Sequence, residues 1–200
     1  MACDFLFYIE GGSLRIIPDD PSTEVRPAHS RPWNVGLIFS IDYRIKCGGT
    51  LIGHLQEHVI TAAHCVNSGA PLYVVVGEHI QGQDNNQEYV KIKGKPVIHP
   101  SYKTNNDYDL AILVLAKRVT NKNAHFLELP QSNYIINRGW KLTFLDVDGW
   151  GMTGPNIDET YPSDILRTVT LHLLNKEPVS YTHLRAHETL RYLVCRLLLE

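Results

Sequence analysis

The sequence predicts an all-β protein, on three observations: short apolar segments, turn-forming residues between them, and no sustained helical period. The apolar segments have the length of strands rather than of helices. Gly, Pro, Asn and Asp separate one segment from the next. No stretch before residue 175 keeps the apolar spacing of an amphipathic helix. A β-barrel or a β-sandwich is therefore the expected architecture.

The apolar segments define the expected strands in chain order. They lie at residues 33–41, 50–52, 58–61, 72–76, 88–97, 110–115, 142–147 and 166–173. Turn-forming residues lie between these segments, at Gly48-Gly49, Gly69-Ala70-Pro71, Asp84-Asn85-Asn86 and His99-Pro100-Ser101. The polar stretch Thr120-Asn121-Lys122-Asn123-Ala124 separates a first set of strands from a second. We expect this stretch to connect two barrels.

Composition and charge narrow the function classes. A chain of 200 residues with 44% hydrophobic content can bury a sizeable core, in one domain or two small ones. Its formal charge of -2 offers no basic surplus for nucleic acid or an anionic membrane. No apolar run of about 18 residues is present to span a bilayer, and Phe5-Leu6-Phe7-Tyr8-Ile9 is too short for an export signal. We expect no nucleic-acid partner and no membrane span.

Two residues stand in settings that suit proton-transfer chemistry. His64 lies in Thr61-Ala62-Ala63-His64-Cys65, between small residues and a cysteine, and Asp109 directly precedes the apolar run Leu110 to Leu115. Histidine takes and returns a proton near neutral pH, and a buried aspartate fixes its tautomer and stabilises the imidazolium. His64 and Asp109 are therefore candidates for this chemistry, although a single histidine or aspartate in such a setting is more often structural.

Six motifs follow one another in an order that is typical of one family. They are Arg31-Pro32-Trp33-Asn34-Val35, Cys47 to Ile52, Val59 to Cys65, Ile98 to Tyr102, Asp109 to Leu113, and Gly149-Trp150-Gly151. Together they resemble the chymotrypsin/trypsin-like serine peptidases over roughly residues 23 to 177. The resemblance implies two six-stranded antiparallel β-barrels, the second incomplete here. It also implies a serine endopeptidase acting through an acyl-enzyme, with His64 as general base and Asp109 as its orienting carboxylate. Asp107, the nearby alternative to Asp109, is expected to cap or solvate a turn.

The nucleophile of that family has no counterpart in this chain. Family members carry it in a Gly-Asp-Ser-Gly-Gly segment, whose backbone N–H groups also form the oxyanion hole. After Asp109 the serines are Ser132, Ser163 and Ser180, and none is flanked by glycine. Losing even one oxyanion-hole donor costs about 3 kcal/mol of transition-state stabilisation. We expect the chain as given to be inactive; the alternative is a non-catalytic homologue that binds or regulates a partner.

The two ends depart from the family pattern. Residues 1–22 form a non-matching leader or a degenerate activation segment, 23–120 the first barrel, and 121–177 a linker and the start of the second barrel. No glycine occurs after Gly154, and Leu190, Leu193, Val194, Leu197 and Leu198 have helix-like spacing. We expect residues 178–200 to be a non-native tail that forms a short helix.

The chain contains four cysteines, two of which are expected to form a disulfide. Of the four cysteines, we expect Cys47 and Cys65 to pair, fixing the loop that holds His64 with a gain of about 3 kcal/mol. Cys3 and Cys195 have no obvious partners.

The segment Gly77-Glu78-His79, followed by Gln87-Glu88, resembles the calcium loop of some family members. A solvated hairpin is the alternative. No cofactor is required by the expected chemistry; a structural calcium held by Glu78 and Glu88 is the candidate.

Partners and compartment follow from the resemblance. Protein or peptide substrates and protein protease inhibitors are the expected partners. We expect a monomer in the extracellular space, because the family and the disulfide both suit an oxidising compartment. No export signal is visible in this sequence.

Overall fold

The computed structural model describes residue 24 and residues 27–55, 57–83, 86–103, 107–129, 144–153 and 161–172. These residues form strands and one single-turn helix, which confirms the all-β prediction. The strands are β1 (Asn34–Ile38), β2 (Ile45–Ile52), β3 (His58–Thr61), β4 (Tyr73–Val76), β5 (Glu88–Val90), β6 (Val97–Ile98), β7 (Ala111–Val114), β8 (Phe144–Gly149), β9 (Met152–Thr153), β10 (Tyr161–Pro162) and β11 (Arg167–His172). The helix, α1, spans Ala63–Val66 between β3 and β4.

The first part of the chain builds one antiparallel sheet. Within the described ranges it has seven strands in the order β5-β4-β1-β2-β3-β7-β6, where six were predicted for the first barrel. The difference arises because the expected strand at 88–97 is split into β5 and β6 by a bend at Gly94, where φ is +76°. Just before that bend, Ile92 forms a bridge with Leu115, so the chain after β5 meets the chain after β7.

Two smaller antiparallel pairs follow in the chain. Strand β11 pairs with β8 along its whole length, from Arg167 opposite Gly149 to His172 opposite Phe144. Strands β9 and β10 form a second short pair. These pairs occupy the region predicted as the start of the second barrel. The domain boundaries at residues 23, 120 and 177 stay predictions.

Gly48-Gly49 does not form the predicted turn. Both glycines lie inside β2, opposite Gly36 and Val35 of β1. The lack of room around Gly49 explains why glycine occupies this position. A Cβ on Gly49 would lie 2.8 Å from Val59 Cγ1 and 2.9 Å from the Ile60 carbonyl oxygen. Glycine is needed here because side chains from neighbouring strands occupy the space over the backbone.

The large sheet is covered on both faces, and β1 shows this most clearly. Val35 and Leu37 join one buried cluster with Leu51, Val59 and Leu113, all fully buried. The other cluster joins Ile38, Ile45 and Val75 to Trp150 and Leu166 from the later part of the chain. Every residue of β1 is buried, as expected for a strand packed on both faces.

Polar contacts reinforce the second cluster. Trp150 Nε1 donates to the His79 carbonyl oxygen at 3.2 Å, and the Leu166 backbone N–H donates to the same oxygen at 2.8 Å. Arg31 forms ion pairs with Asp146 at 2.8 Å and with Asp148 at 3.1 Å. The first sheet and the β8–β11 pair are therefore joined by packing and by charge.

Several predictions fall on residues outside the described ranges. They concern the leader at 1–22, the tail and its helix at 178–200, Ser132, Ser180, Cys3 and Cys195. Among the residues that the structure describes, no helix is both long and apolar enough to cross a membrane.

Replacing Gly49 by alanine should destabilise the sheet. Its Cβ would collide with Val59 and with a backbone oxygen that cannot move freely, so we expect a loss of about 1–3 kcal/mol in the free energy of unfolding, measured by urea titration. Gly151→Ala is the matched control, because no atom lies within 4 Å of its added Cβ. Equal stabilities of the two variants would contradict the packing role of Gly49.

Candidate active site

His64 lies on the single turn α1, directly after β3. The preceding residues Ala62 and Ala63 are almost fully buried, and their small side chains let the turn pack closely on the core. Thr61 Oγ1 donates to the Gly48 carbonyl oxygen at 2.8 Å, which ties the end of β3 to β2. The structure contains a disulfide between Cys47 of β2 and Cys65, the residue after His64. The backbone around the histidine is thus fixed from two sides.

Asp109 reaches the same place from β7. In the antiparallel pairing of β3 with β7, Thr61 lies opposite Ala111, so the residues just beyond these ends come together although they are 45 positions apart. Before Asp109 the chain turns at Tyr108, where φ is +54°, and the Tyr108 ring stacks on His99 with centroids 5.0 Å apart. The sheet register and this local turn together aim the carboxylate at α1.

Asp109 holds both the ring and the backbone of His64. Its Oδ2 lies 2.6 Å from His64 Nδ1, and its Oδ1 accepts a hydrogen bond from the His64 backbone N–H at 2.8 Å. The Asp109 side chain is 4% exposed, whereas that of His64 is 31% exposed. Because an ionised carboxylate only accepts, Nδ1 carries the proton and Nε2 keeps its lone pair. The arrangement presents a base with a fixed tautomer to solvent.

The disulfide also lies beside the basic nitrogen. Cys65 Sγ is 3.5 Å from His64 Nε2. Cys47, His64 and Cys65 place one potential metal-binding atom each within 4.8 Å of one another, and no other such group of three occurs in the described part of the chain. Since the two sulfurs are bonded to each other, neither is a thiolate, and this group offers a metal only one nitrogen.

Tyr102 is a site neighbour to which the sequence pattern assigned no role. Burial raises the pKa of its hydroxyl, and the nearby Asp109 carboxylate raises it further. Tyr102 also packs against the main core cluster. It therefore belongs to the wall around the Asp109 carboxylate. The sequence did mark Tyr102 as the last residue of the motif from Ile98 to Tyr102. The spacing of that motif, however, gave no indication that Tyr102 would lie near Asp109.

Ser163 is the one serine after Asp109 within the described ranges. It is 4% exposed, and its Oγ donates to the Ile165 carbonyl oxygen at 2.7 Å and accepts from Arg167 Nε at 3.0 Å. The hydroxyl is thus occupied in organising the turn before β11. These contacts agree with its exclusion as a nucleophile.

Glu78 and Glu88, the predicted calcium residues, bound the segment between β4 and β5. Glu78 is buried, and its Oε1 accepts from the Gly82 backbone N–H at 2.6 Å. Glu88 Oε1 pairs with Lys117 at 2.6 Å, while its Oε2 accepts from the Thr120 and Asn121 backbone N–H groups at 2.9 and 3.0 Å. Carboxylate oxygens suit calcium in kind. At Glu88, however, calcium would have to compete with the Lys117 ammonium.

The charge of Glu88 is stabilised by its partners. Burial acts to raise the pKa of this carboxyl, but the Lys117 ammonium and the N–H donors of Thr120 and Asn121 outweigh burial, so the pKa is lowered. Glu88 therefore ties the start of β5 to the segment at 117–121 at neutral pH.

Glu88→Gln should weaken this tie by about 1–2 kcal/mol in the free energy of unfolding at pH 7. Because the folded-state pKa lies below the ordinary value of 4.5, the wild-type advantage is full above that value and is lost as pH falls through the folded pKa. Urea titrations between pH 3 and 7 measure the difference. Glu128→Gln, at an exposed position, is the control, and a pH-independent deficit at Glu88 would contradict the ionic role.

Asp109→Asn should change the tautomer of His64. An amide NH2 can donate to Nδ1, whereas a carboxylate only accepts, so the ring proton should move from Nδ1 to Nε2. Nitrogen-15 NMR of the histidine-labelled chain at neutral pH reports the tautomer directly. Asp107→Asn should leave the spectrum of His64 unchanged, and an unchanged spectrum in Asp109→Asn would refute the assigned hydrogen bond.

Comparison with known proteins places this geometry in a family. The family model described as Trypsin matches residues 21–192, a range that overlaps the start of the predicted tail at 178. Chymotrypsin-like elastase family member 1 of Bos taurus is 42% identical over 115 residues, covering 55% of this chain and 41% of that protein. The protein of the same name from Felis catus is 41% identical over 158 residues, covering 73% and 57%.

Kallikrein-12 of Homo sapiens is 36% identical over 152 residues, covering 74% of this chain and 56% of that protein. The chain thus spans between 41% and 57% of the length of these curated relatives. The family match covers most of the chain, and it includes His64, Asp109 and the disulfide beside them. The chain belongs to the trypsin-like serine peptidase family.

Proposed function

We propose that the protein is a secreted serine endopeptidase that hydrolyses peptide bonds through an acyl-enzyme. The observation that carries this proposal is the Asp109–His64 pair, in which Nδ1 lies 2.6 Å from the carboxylate and Nε2 is left as the base. Family membership supports the reaction class, and the relatives carry the names of elastases, a kallikrein and a chymotrypsin.

In the proposed mechanism His64 moves protons while Asp109 stays ionised. Nε2 takes the proton of the attacking hydroxyl, and the resulting imidazolium later gives a proton to the leaving amine. Asp109 stabilises the imidazolium through Oδ2 and prevents the ring from rotating. Its second oxygen holds the His64 backbone N–H, so the ring and the helix turn keep one position through both steps.

The chain as given supplies the base without its nucleophile. No serine after Asp109 is flanked by glycine, and the hydroxyl of Ser163 is already engaged in a turn. We therefore propose that these 200 residues do not turn over peptides, and that the serine and oxyanion hole belong to a longer gene product. The alternative, a non-catalytic homologue that binds or regulates a partner, is favoured by this same lack of a glycine-flanked serine.

The proposed partners are protein or peptide substrates and protein protease inhibitors, met by a monomer outside the cell. The disulfide beside the base supports an oxidising compartment.

We also propose a structural calcium between Glu78 and Glu88, with no role in the reaction. The two carboxylates would hold the ion, with calcium replacing Lys117 at Glu88 Oε1, and would thereby brace the connection between β4 and β5. Calcium should raise the Tm of the purified chain, magnesium should not, and Glu78→Gln should abolish the effect. A calcium response that is unchanged in this variant would place the ion elsewhere.

Labelling by a serine-directed fluorophosphonate tests the enzymatic proposal. The 200-residue chain should not react, whereas the product of the full-length transcript should react at one serine in a glycine-rich segment. In that longer protein, His64→Ala should lower kcat about 10⁴-fold or more, and Asp107→Asn should leave it unchanged. Stoichiometric labelling of the 200-residue chain would overturn the predicted inactivity. A transcript that ends near residue 200 would favour the binding protein.

A further inference from the structure

Three tyrosines form an aromatic cluster at the large sheet: Tyr43, which is exposed, and Tyr73 and Tyr89, which are half-buried. Tyr43 stacks on Tyr73 with ring centroids 5.9 Å apart, and its ring meets Tyr89 edge-on at 5.3 Å. Tyr73 and Tyr89 also meet edge-on, at 6.2 Å. Lys91 Nζ lies 5.9 Å from the centre of the Tyr73 ring, and Ile41 lies two residues before Tyr43. We call these five residues the tyrosine platform.

The tyrosine platform is supported by the core beneath it and by contacts of the residues next to Tyr43. Tyr73 and Tyr89 pack against the buried cluster that contains Ile38 and Val75. Tyr43 has φ of +55°, a conformation that is unfavourable for an aromatic residue and persists only where the surroundings impose it. The residues on either side of Tyr43 are tied in place: Asp42 accepts from the Arg44 backbone N–H at 3.1 Å, and the Arg44 guanidinium pairs with Asp164 at 2.6 Å.

Apolar groups at this surface are unusually open to water. Ile41 is 90% exposed, Tyr43 is 51% exposed, and the adjacent Leu72 is 44% exposed. Single exposed apolar residues are ordinary, but Ile41 and Leu72 lie within two residues of Tyr43 and Tyr73 in the chain, so exposed apolar groups are concentrated near the rings. Because the three rings already contact one another, they can accept an apolar side chain with little further ordering.

The charge around the tyrosine platform selects the kind of partner. Segments 40–46 and 89–95 together carry five basic side chains and one acidic one, in a chain whose net charge is -2. Lys46 and Arg44 are paired with acids, whereas no salt bridge within the described residues engages Lys91, Lys93 or Lys95. Lys91 lies beside the Tyr73 ring, and the two exposed lysines that follow it in the chain add positive charge to this segment, which attracts carboxylates.

We propose that the tyrosine platform binds a segment of a partner protein in which an aromatic or aliphatic side chain is flanked by carboxylates. The apolar side chain packs on Tyr43 and Ile41, and the carboxylates lie near Lys91 and the lysines that follow it. An unbranched polyanion would gain nothing from Ile41 and Tyr43. This interaction uses none of the residues of the catalytic pair, so it does not depend on the proposed peptidase activity.

The probe is a fluorescein-labelled peptide of sequence Glu-Glu-Phe-Glu-Glu-Leu-Glu, titrated with the full 200-residue chain and followed by fluorescence anisotropy. We expect a Kd of about 10–100 µM at about 50 mM salt, weakening as salt is raised. Ile41→Ser, Lys91→Glu and Tyr43→Gly should each weaken binding about tenfold. Tyr43→Gly should fold well, because glycine accepts a positive φ without strain.

Matched variants elsewhere on the surface distinguish specific binding at the tyrosine platform from nonspecific binding of the peptide. Leu55→Ser and Lys122→Glu change exposed residues of the same types outside the tyrosine platform and should leave binding unchanged. No binding up to about 1 mM, or equal losses in both sets of variants, would overturn the proposal. Dextran sulfate is the second probe: if it competes for the site and its own binding depends on Lys91 but not on Ile41 or Tyr43, the surface is a polyanion site and the proposal fails.

Discussion

The pairing of β3 with β7 is the constraint on which the candidate site depends. Thr61 lies opposite Ala111, and this single register brings His64, just beyond one strand, against Asp109, just before the other. A shift by one residue would turn the side chains of β7 to the other face. The register is secured by burial, because Val59 and Leu113 are opposite one another and both fully buried. The geometry of the His64–Asp109 pair is therefore a by-product of core packing.

Much of this could be predicted from local sequence. Strand existence followed from short apolar segments, and β3, β4 and β7 lie within a residue of their expected positions. His64 and Asp109 were recognisable because each lies in a motif that resembles one family and the motifs follow in that family's order. The residues alone, without that resemblance, would not have distinguished them from structural ones.

Features set by packing across strands were not predictable in the same way. Gly48-Gly49 has the composition of a turn, and only the neighbouring Val59 and Val35 reveal why small residues are needed in the middle of β2. The Lys117 ion pair with Glu88 joins residues far apart in the chain, so two carboxylates in a polar segment gave no hint of it. The tyrosine platform likewise collects residues from three separate segments. The sequence pattern therefore predicts individual strands, whereas the contacts between strands are seen only in the three-dimensional structure.

The second buried cluster has a consequence for how this chain folds. Ile38, Ile45 and Val75 belong to the sheet that carries the base, yet the side chains covering them, Trp150 and Leu166, come from the later segments. Arg31 adds two ion pairs across the same boundary. A division of the chain after residue 120 would leave one face of the first sheet in water. The later segments are thus a structural requirement of the sheet that leads to the histidine.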